Sequence, residues 1–315
     1  MMKIVVTGAT GHVGSYIIRD LSVQFPNTKI IMIDNMMTQR FSSLFNLPSI
    51  GSFNFIEGDV SEIDLNAVFC DANVVIHLAA ITDAAGSVDR AKELEANNYQ
   101  STLKVANACV ETGASLIALS STSVYGTQND IVDEDCSQEE LQPQSPYAAT
   151  KLKEEALVAR LCEDKGLKAI HCRFGTIFGA SIGMRFHTAV NKFCWQAVMG
   201  QQISVWTTAY DQKRPYLDLL DASRAISFII RNDIFDGRIY NILTNNATVR
   251  EIVEVIREFV PDLEVGFVDN KIMNQLSYEV LDNRFKSQGF SPAGSLTRGI
   301  GETISLLKQG ISSLL

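Results

Sequence analysis

The chain has 315 residues, of which 46% are apolar and 20% charged, with a formal net charge of −9. Such a length buries a large core and suits one or two domains. The acidic balance and the lack of any Lys/Arg run argue against a surface that tracks a nucleic-acid backbone, but leave room for a small anionic ligand held by one or two arginines.

Six cysteines, at 70, 109, 136, 162, 172 and 194, have no CxxC or Cys/His metal spacing, so no metal is expected and reduced, buried thiols are the plainer reading. No apolar run reaches the roughly 18 residues of a membrane span. The chain opens directly on a strand without a charged leader, so a cytoplasmic protein is expected.

Lys3-Ile-Val-Val-Thr7 reads as a strand that runs into Gly8-Ala-Thr10-Gly11-His12-Val13-Gly14 and an amphipathic helix to about Phe25. Glycines at this spacing permit a tight turn, close approach of a pyrophosphate to backbone N–H groups, and tight helix–strand contact. The helix N-terminus adds the positive end of a dipole. The next strand, from Lys29, ends in Asp34, twenty residues after Gly14, where a ribose-binding acid belongs. Asp34 repels a 2′-phosphate and no Arg or Lys follows it immediately, which favours NAD over NADP.

A third strand, from Phe53, ends near Asp59 and Val60, within reach of an adenine; a fourth, from Val74, ends in Leu78-Ala79-Ala80, small residues beside the dinucleotide. Residues 88–112 read as a helix carrying Asn97 and Asn98, which a helix disfavours unless a side chain bonds something. Ser115–Ser121 is an apolar fifth strand whose serines reach the carboxyl edge of the sheet, where open α/β folds bind ligands. After a polar loop over 126–146, a helix over 147–165 places Tyr147 and Lys151 one turn apart on one face. An ammonium there favours the phenolate of a group whose pKa is ordinarily about 10. A sixth strand covers Lys168–Gly175.

Strands alternating with helices indicate a parallel, doubly wound sheet. After Gly179 the rhythm breaks: a helix carries Phe193 and Trp195, short strands follow at 203–206, 214–218 and 238–243, and Asp221 caps a helix to about Arg231. Thr248-Val-Arg-Glu251 is a capping box, and a strand is expected near 265–268. The expected division is a dinucleotide-binding Rossmann domain of 1–176 plus 215–243, and a smaller α/β domain of 177–214 plus 244–315.

The ordered set TGATGHVG, Asp34, Gly58-Asp59-Val60, His77-Leu-Ala-Ala80, Asn98, SSTSVYG, YAATK and Arg214-Pro-Tyr-Leu-Asp-Leu-Leu-Asp221 resembles the extended short-chain dehydrogenase/reductases, especially the sugar-nucleotide branch around UDP-galactose 4-epimerase. The resemblance spans nearly the whole chain. It implies NAD held by the glycine turn, Asp34, Asn35, Asp59, Val60, residues 78–80, Asn98, Tyr147 and Lys151, the last bonding the nicotinamide ribose, with a nucleotide-sugar across the cleft. It makes Ser121 the catalytic hydroxyl, Tyr147 the base and Lys151 its partner. Arg214 matches a diphosphate-binding arginine, and Thr82, Thr122 and Thr176 fall at substrate-facing positions. Trp206 lies near an aromatic that lines the nucleotide base site, or is a core aromatic of the small domain.

Three departures stand out. Thr176 replaces the asparagine of RxxNxYG; residues 270–275 have no second diphosphate arginine, for which Lys271 or Arg185 are candidates; and Thr122 and Ser123 replace the acid pair of the 4,6-dehydratases. The resemblance therefore implies 4-epimerisation, with 4-dehydrogenation or ketoreduction as the alternative, dehydration disfavoured, and a non-catalytic NAD-binding regulator further off. It also implies a homodimer through the helices around 90–112 and 147–165.

Overall fold

The computed structural model describes residues 1–82, 91–126, 130–137, 139, 141–268 and 277–310. Its elements begin with β1 (Lys3–Thr7), α1 (His12–Gln24), β2 (Lys29–Asp34), β3 (Ser52–Glu57), α2 (Leu65–Phe69), β4 (Val74–His77), α3 (Ala91–Thr112) and β5 (Ser115–Ser121). Next come β6 (Ile131–Val132), α4 (Pro146–Lys165), β7 (Ala169–Phe174), β8 (Thr176–Phe178), α5 (Ala189–Val198), β9 (Ile203–Trp206) and β10 (Lys213–Asp218). The chain continues through α6 (Leu219–Asn232), β11 (Ile239–Ile242), β12 (Asn245–Thr248), α7 (Val249–Phe259), β13 (Val265–Val268), β14 (Glu279–Val280), α8 (Asn283–Ser287) and α9 (Leu296–Gln309).

The main sheet has seven strands in the order β3-β2-β1-β4-β5-β7-β11, every pair parallel. It is the doubly wound sheet expected. Alternate residues of each strand feed opposite faces. Ile4 and Val6 of β1 join a core with Ile17, Ile18 and Leu21 of α1 and Ile226 and Ile229 of α6; Val5 joins Val105 of α3 and Leu157 and Val158 of α4 on the other face. The order of strands reverses between β1 and β4, so a crevice opens there at the carboxyl ends.

A second core gathers α5, α7 and α9 around Phe178, Phe193, Ile252, Ile256, Ile300 and Ile304. Beside it, β10 pairs in parallel with β8 and antiparallel with β12, while β9 pairs with β13. The stretch 215–243 is thus shared: β10 sits in the small sheet, whereas α6 and β11 serve the large one. Phe285 and Phe290 return to the first core.

Local signals hold where chemistry is local. Ser145 caps α4 by accepting from the Ala148 N–H, Pro146 stands in its first turn, and Gly166 ends it at φ 68°. The capping box Thr248/Glu251 opens α7. Two expectations need correction. The N-cap of α6 is Asp218, not Asp221: the cap must stand in extended backbone, which the end of β10 provides (φ −67°, ψ 137°). Asp221 is fully buried and instead accepts from the Ala293 and Gly294 N–H groups and the Thr244 hydroxyl. The loop after Gly126 also contains β6, which pairs with β14; a two-residue strand is too short to leave a periodic signal. Of the cysteines, 109, 172 and 194 are buried, 136 and 162 half-buried, and 70 exposed.

Candidate active site

The glycine turn is shaped by contacts that a side chain would prevent. Gly8 takes φ +66°, and a Cβ there would stand 2.7 Å from the Ala79 nitrogen at the end of β4; a Cβ on Gly14 would stand 2.3 Å from the Gly8 carbonyl oxygen. The N-terminus of α1 begins at Gly11, which has no side chain to cap it, so its N–H groups remain for an anion.

Around this turn lies a cavity of about 320 Å³ at the β1/β4 switch point. Fourteen predicted site residues line it: Gly8, Gly11, His12, Val13, Gly14, Asp34, Asn35, Asp59, Val60, Leu78, Ala79, Ala80, Thr82 and Arg185. Asp34 clasps the turn, its Oδ2 accepting from the Thr10 N–H at 3.0 Å and its Oδ1 from the Met36 N–H at 2.9 Å. Asn35 donates to Asp59 at 2.8 Å. Partial burial raises the Asp59 pKa, but hydrogen bonds from Ser61 and Asn35 outweigh it and hold the carboxyl below its ordinary value. His12 donates or accepts through Nδ1 with the Ser181 hydroxyl at 2.8 Å, and burial, aided by Arg185 and Arg40, pushes its pKa down to about 3. The imidazole is therefore neutral and adds no charge to the anion site.

Other predicted residues stand apart from this cavity. Thr10 contributes its backbone, and its side chain is fully buried. Asn98, 1% exposed, binds the backbone of Ile81 through both amide atoms, at 2.8 and 2.9 Å; it shapes the wall that its neighbours Asn97 and Ser101 line. Thr122 is buried and donates to the Phe174 carbonyl. Thr176 pairs with Tyr216 inside the small sheet, and it is the next residue, Ile177, that reaches the cavity. Trp206, 44% exposed at the end of β9, is not a core aromatic. The Arg214 guanidinium lies 5.1 Å from the Tyr278 ring centroid, and the Tyr278 hydroxyl donates to the Thr122 carbonyl, so Tyr278 links the arginine to the turn that follows Ser121. Lys271 lies outside the described residues.

Sequence reasoning missed Arg40 and His187, both of which line the cavity. Arg40 follows Asp34 by six residues, and a Cβ on Gly11 would stand 3.9 Å from its Nη1, so a cation does reach the glycine turn. No Arg or Lys follows Asp34 immediately in the chain, yet the loop brings the Arg40 guanidinium close enough to interact with its carboxylate. Arg185 and His187 come from the loop before α5; Arg185 donates to the Thr82 hydroxyl.

Ser121 ends β5, its hydroxyl accepting from the Ser123 N–H at 3.2 Å. Half-buried Tyr147 lies in the first turn of α4, and the Lys151 Nζ stands 5.8 Å from its ring centroid. Lys151 is 5% exposed and donates to Glu154 Oε2 at 2.8 Å. Burial alone lowers a lysine's pKa, but the Glu154 and Tyr147 oxygens outweigh it and raise that of Lys151. The arginine of the sixth strand has a structural role: Arg173 gives two hydrogen bonds to Glu155 (2.9 and 2.7 Å) and one to the Tyr125 hydroxyl.

Fold and site together define a class: a doubly wound dinucleotide-binding enzyme of the extended short-chain dehydrogenase/reductase type. The family model of the NAD dependent epimerase/dehydratase family matches residues 4–242, and the chain belongs to that family. A trifunctional UDP-glucose 4,6-dehydratase/UDP-4-keto-6-deoxy-D-glucose 3,5-epimerase/UDP-4-keto-L-rhamnose-reductase of Arabidopsis thaliana is 28% identical over 98% of this chain and 47% of its own length. The chain thus spans about half the length of the Arabidopsis relatives it matches. A protein of Bacillus subtilis described as an uncharacterized UDP-glucose epimerase is 27% identical over 97% of this chain and 98% of its own. Among solved structures, UDP-glucuronic acid 4-epimerase from Bacillus cereus matches with a TM-score of 0.88 at 24% identity, over 98% of this chain and 99% of that one. UDP-N-acetylglucosamine 4-epimerase from Methanobrevibacter ruminantium matches with 0.87 at 23%, over the same shares. At that identity the likeness concerns the fold. Among the described residues, no helix is long and apolar enough to cross a membrane.

Proposed function

We propose that the chain is a nucleotide-sugar 4-epimerase that uses NAD and works as a cytoplasmic homodimer. The observation that carries the chemistry is the Tyr147–Lys151 pair on the first turns of α4, with hydroxyl groups and no carboxylate at 121–123. The residues lining the cavity fit the cofactor: glycine amides and an open helix N-terminus for a pyrophosphate, Asp34 for a ribose, and Asp59 and Val60 for the base. Bound NAD supplies a reversible acceptor for the hydride of a sugar carbon.

The chain's own residues handle the proton. Tyr147 takes the C4 hydroxyl proton at its phenol oxygen, with the positive charge of Lys151 held 5.8 Å from its ring centroid. Ser121 donates to the sugar oxygen as it becomes a carbonyl, stabilising charge where it develops. Arg214 and Arg185 are cations suited to the substrate's diphosphate. Cations that grip the diphosphate while few contacts hold the sugar ring would leave the 4-keto ring free to present its other face.

Elimination across C5–C6 needs a further proton donor. Thr122 is buried against the Phe174 carbonyl, which leaves it unfit for that role. The test is to incubate the purified protein with a panel of UDP- and dTDP-hexoses and hexuronates and to follow sugar composition by NMR and NADH by absorbance. C4 inversion without net NADH supports the proposal. Steady NADH accumulation moves the reading to a 4-dehydrogenase, and a 4-keto-6-deoxy product moves it to a dehydratase. For the dimer, the α3–α4 face carries a groove lined by Tyr99, Leu157 and Arg160, and sedimentation at micromolar concentration should give twice 34.7 kDa.

A further inference from the structure

A chain of buried hydrogen bonds runs from the wall of the cavity to Lys151, and counting donors fixes its direction. Thr7 Oγ1 accepts from the Leu78 and Ala79 N–H groups, both at 3.2 Å. Its own hydrogen is then left for His77 Nδ1 at 2.8 Å, which must accept it. His77 is neutral, because burial, with Lys151 second, pushes its pKa down to about 3. A neutral imidazole that accepts at Nδ1 carries its proton on Nε2, which donates to Thr102 Oγ1 at 3.2 Å. The Thr102 hydroxyl then gives its hydrogen to Glu154 Oε2 at 3.0 Å, the same oxygen that accepts from Lys151 at 2.8 Å. Every bond in the series points at one carboxylate oxygen. Glu154 Oε1 is buried and has no hydrogen-bond partner among the described residues.

A carboxylate 4% exposed, satisfied on one oxygen only, is poorly suited to a purely structural task. It suits the task of neutralising a buried ammonium and fixing where that ammonium stands. We infer that Glu154 is a positioning residue: held by Thr102 and His77, it keeps Lys151 charged and aimed beside Tyr147 in spite of burial. The inference rests on the reading that the Lys151 charge assists proton removal at Tyr147.

The other titratable and charged groups packed around this centre are His77 from β4, Glu155 from α4 itself, and His171 and Arg173 from β7. His171 is neutral, pushed down to about 4 by burial, and Arg173 and Glu155 neutralise each other at 2.7 Å. From α3 the packed group is the Thr102 hydroxyl, and the nearby Lys153–Glu95 pair is exposed. Glu154 is therefore the carboxylate left to balance Lys151.

The test is Glu154→Gln, which keeps shape and removes charge, alongside Glu154→Asp, which keeps charge. The titration of Lys151 is read in [15Nζ]lysine-labelled, NAD-loaded protein, with the resonance assigned by Lys151→Arg. In Glu154→Gln the midpoint should fall by at least about one pH unit, since an unpaired buried ammonium loses its proton more easily. The turnover profile should acquire an alkaline decline whose midpoint follows that of Lys151, with about a tenfold loss in rate one pH unit above it, that Glu154→Asp abolishes. A Lys151 midpoint unmoved in Glu154→Gln overturns the inference whatever the activity does. A midpoint that moves while the turnover profile stays flat leaves the Glu154 assignment standing, and overturns the catalytic use of the Lys151 charge. A merely structural Glu154 would lower turnover equally at every pH.

Discussion

Two adjacent glutamates on α4 face the same interior and do opposite things. Glu155 is 4% exposed and accepts from Arg173 through both oxygens and from the Ser120 hydroxyl; Arg173 in turn is tied through Tyr125 to Asn241. Burial raises the Glu155 pKa, but the Arg173 guanidinium outweighs it and holds the carboxyl below its ordinary value. Glu154, equally buried, accepts from Lys151 and Thr102 on one oxygen alone. The rigid, bidentate guanidinium pair is closed and complete, as suits a strut between α4 and β7. The ammonium pair is a point charge held at one spot beside a phenol. Burial does not separate structure from chemistry here, but saturation of the hydrogen bonds does.

Four outcomes would break or sharpen this contrast. The largest is Tyr147→Phe, which removes the group that the open pair serves. It should cost roughly 10²- to 10⁴-fold in turnover, with the melting temperature nearly unchanged, and activity within tenfold of the parent protein would end the catalytic reading. Next, Glu155→Gln strands the Arg173 charge in the interior. It should cost about 3–5 kcal/mol of unfolding free energy in denaturant titration, with turnover per folded molecule changed far less than in Tyr147→Phe. A stable Glu155→Gln protein with abolished turnover would reverse the roles assigned to the two glutamates.

The third outcome concerns protons. His12, His77 and His171 are held neutral, with pKa values pushed down to about 3, 3 and 4. The unfolded chain therefore binds up to three more protons than the folded one between the ordinary histidine value and those values. Stability should be level above about pH 6.5 and fall as pH drops through that window, by up to about 1.4 kcal/mol per unit for each histidine. Glu155, with its lowered pKa, contributes above the ordinary glutamate range, and that contribution is lost as pH falls further. Denaturant titrations at pH 7, 6 and 5 read this directly, and a flat profile would contradict the buried, neutral tautomer assigned to His77. The smallest effect is a control. Thr248→Ala opens the capping box of α7, remote from the pair, and should cost about 1 kcal/mol of stability without altering turnover or its pH profile.

What could be read from the chain alone was local. The alternation of apolar strands and amphipathic helices announced the doubly wound sheet, because side-chain periodicity is set within a few residues. The glycine turn, Asp34 and the Tyr147–Lys151 spacing were legible for the same reason, since each lies within one turn or one βαβ unit.

The rest required the folded chain. Asn98 had to find Ile81 before its place in the helix made sense. Arg185 meets Thr82 across 103 residues, and Thr102 meets Glu154 across 52. The cap of α6 passed from Asp221 to Asp218 because a strand ends there, and Arg40 returned over Gly11 by the path of a loop. A carboxylate's partners are decided by which elements pack together, and no spacing along the sequence encodes whether a buried glutamate will close on an arginine or stay open beside a lysine.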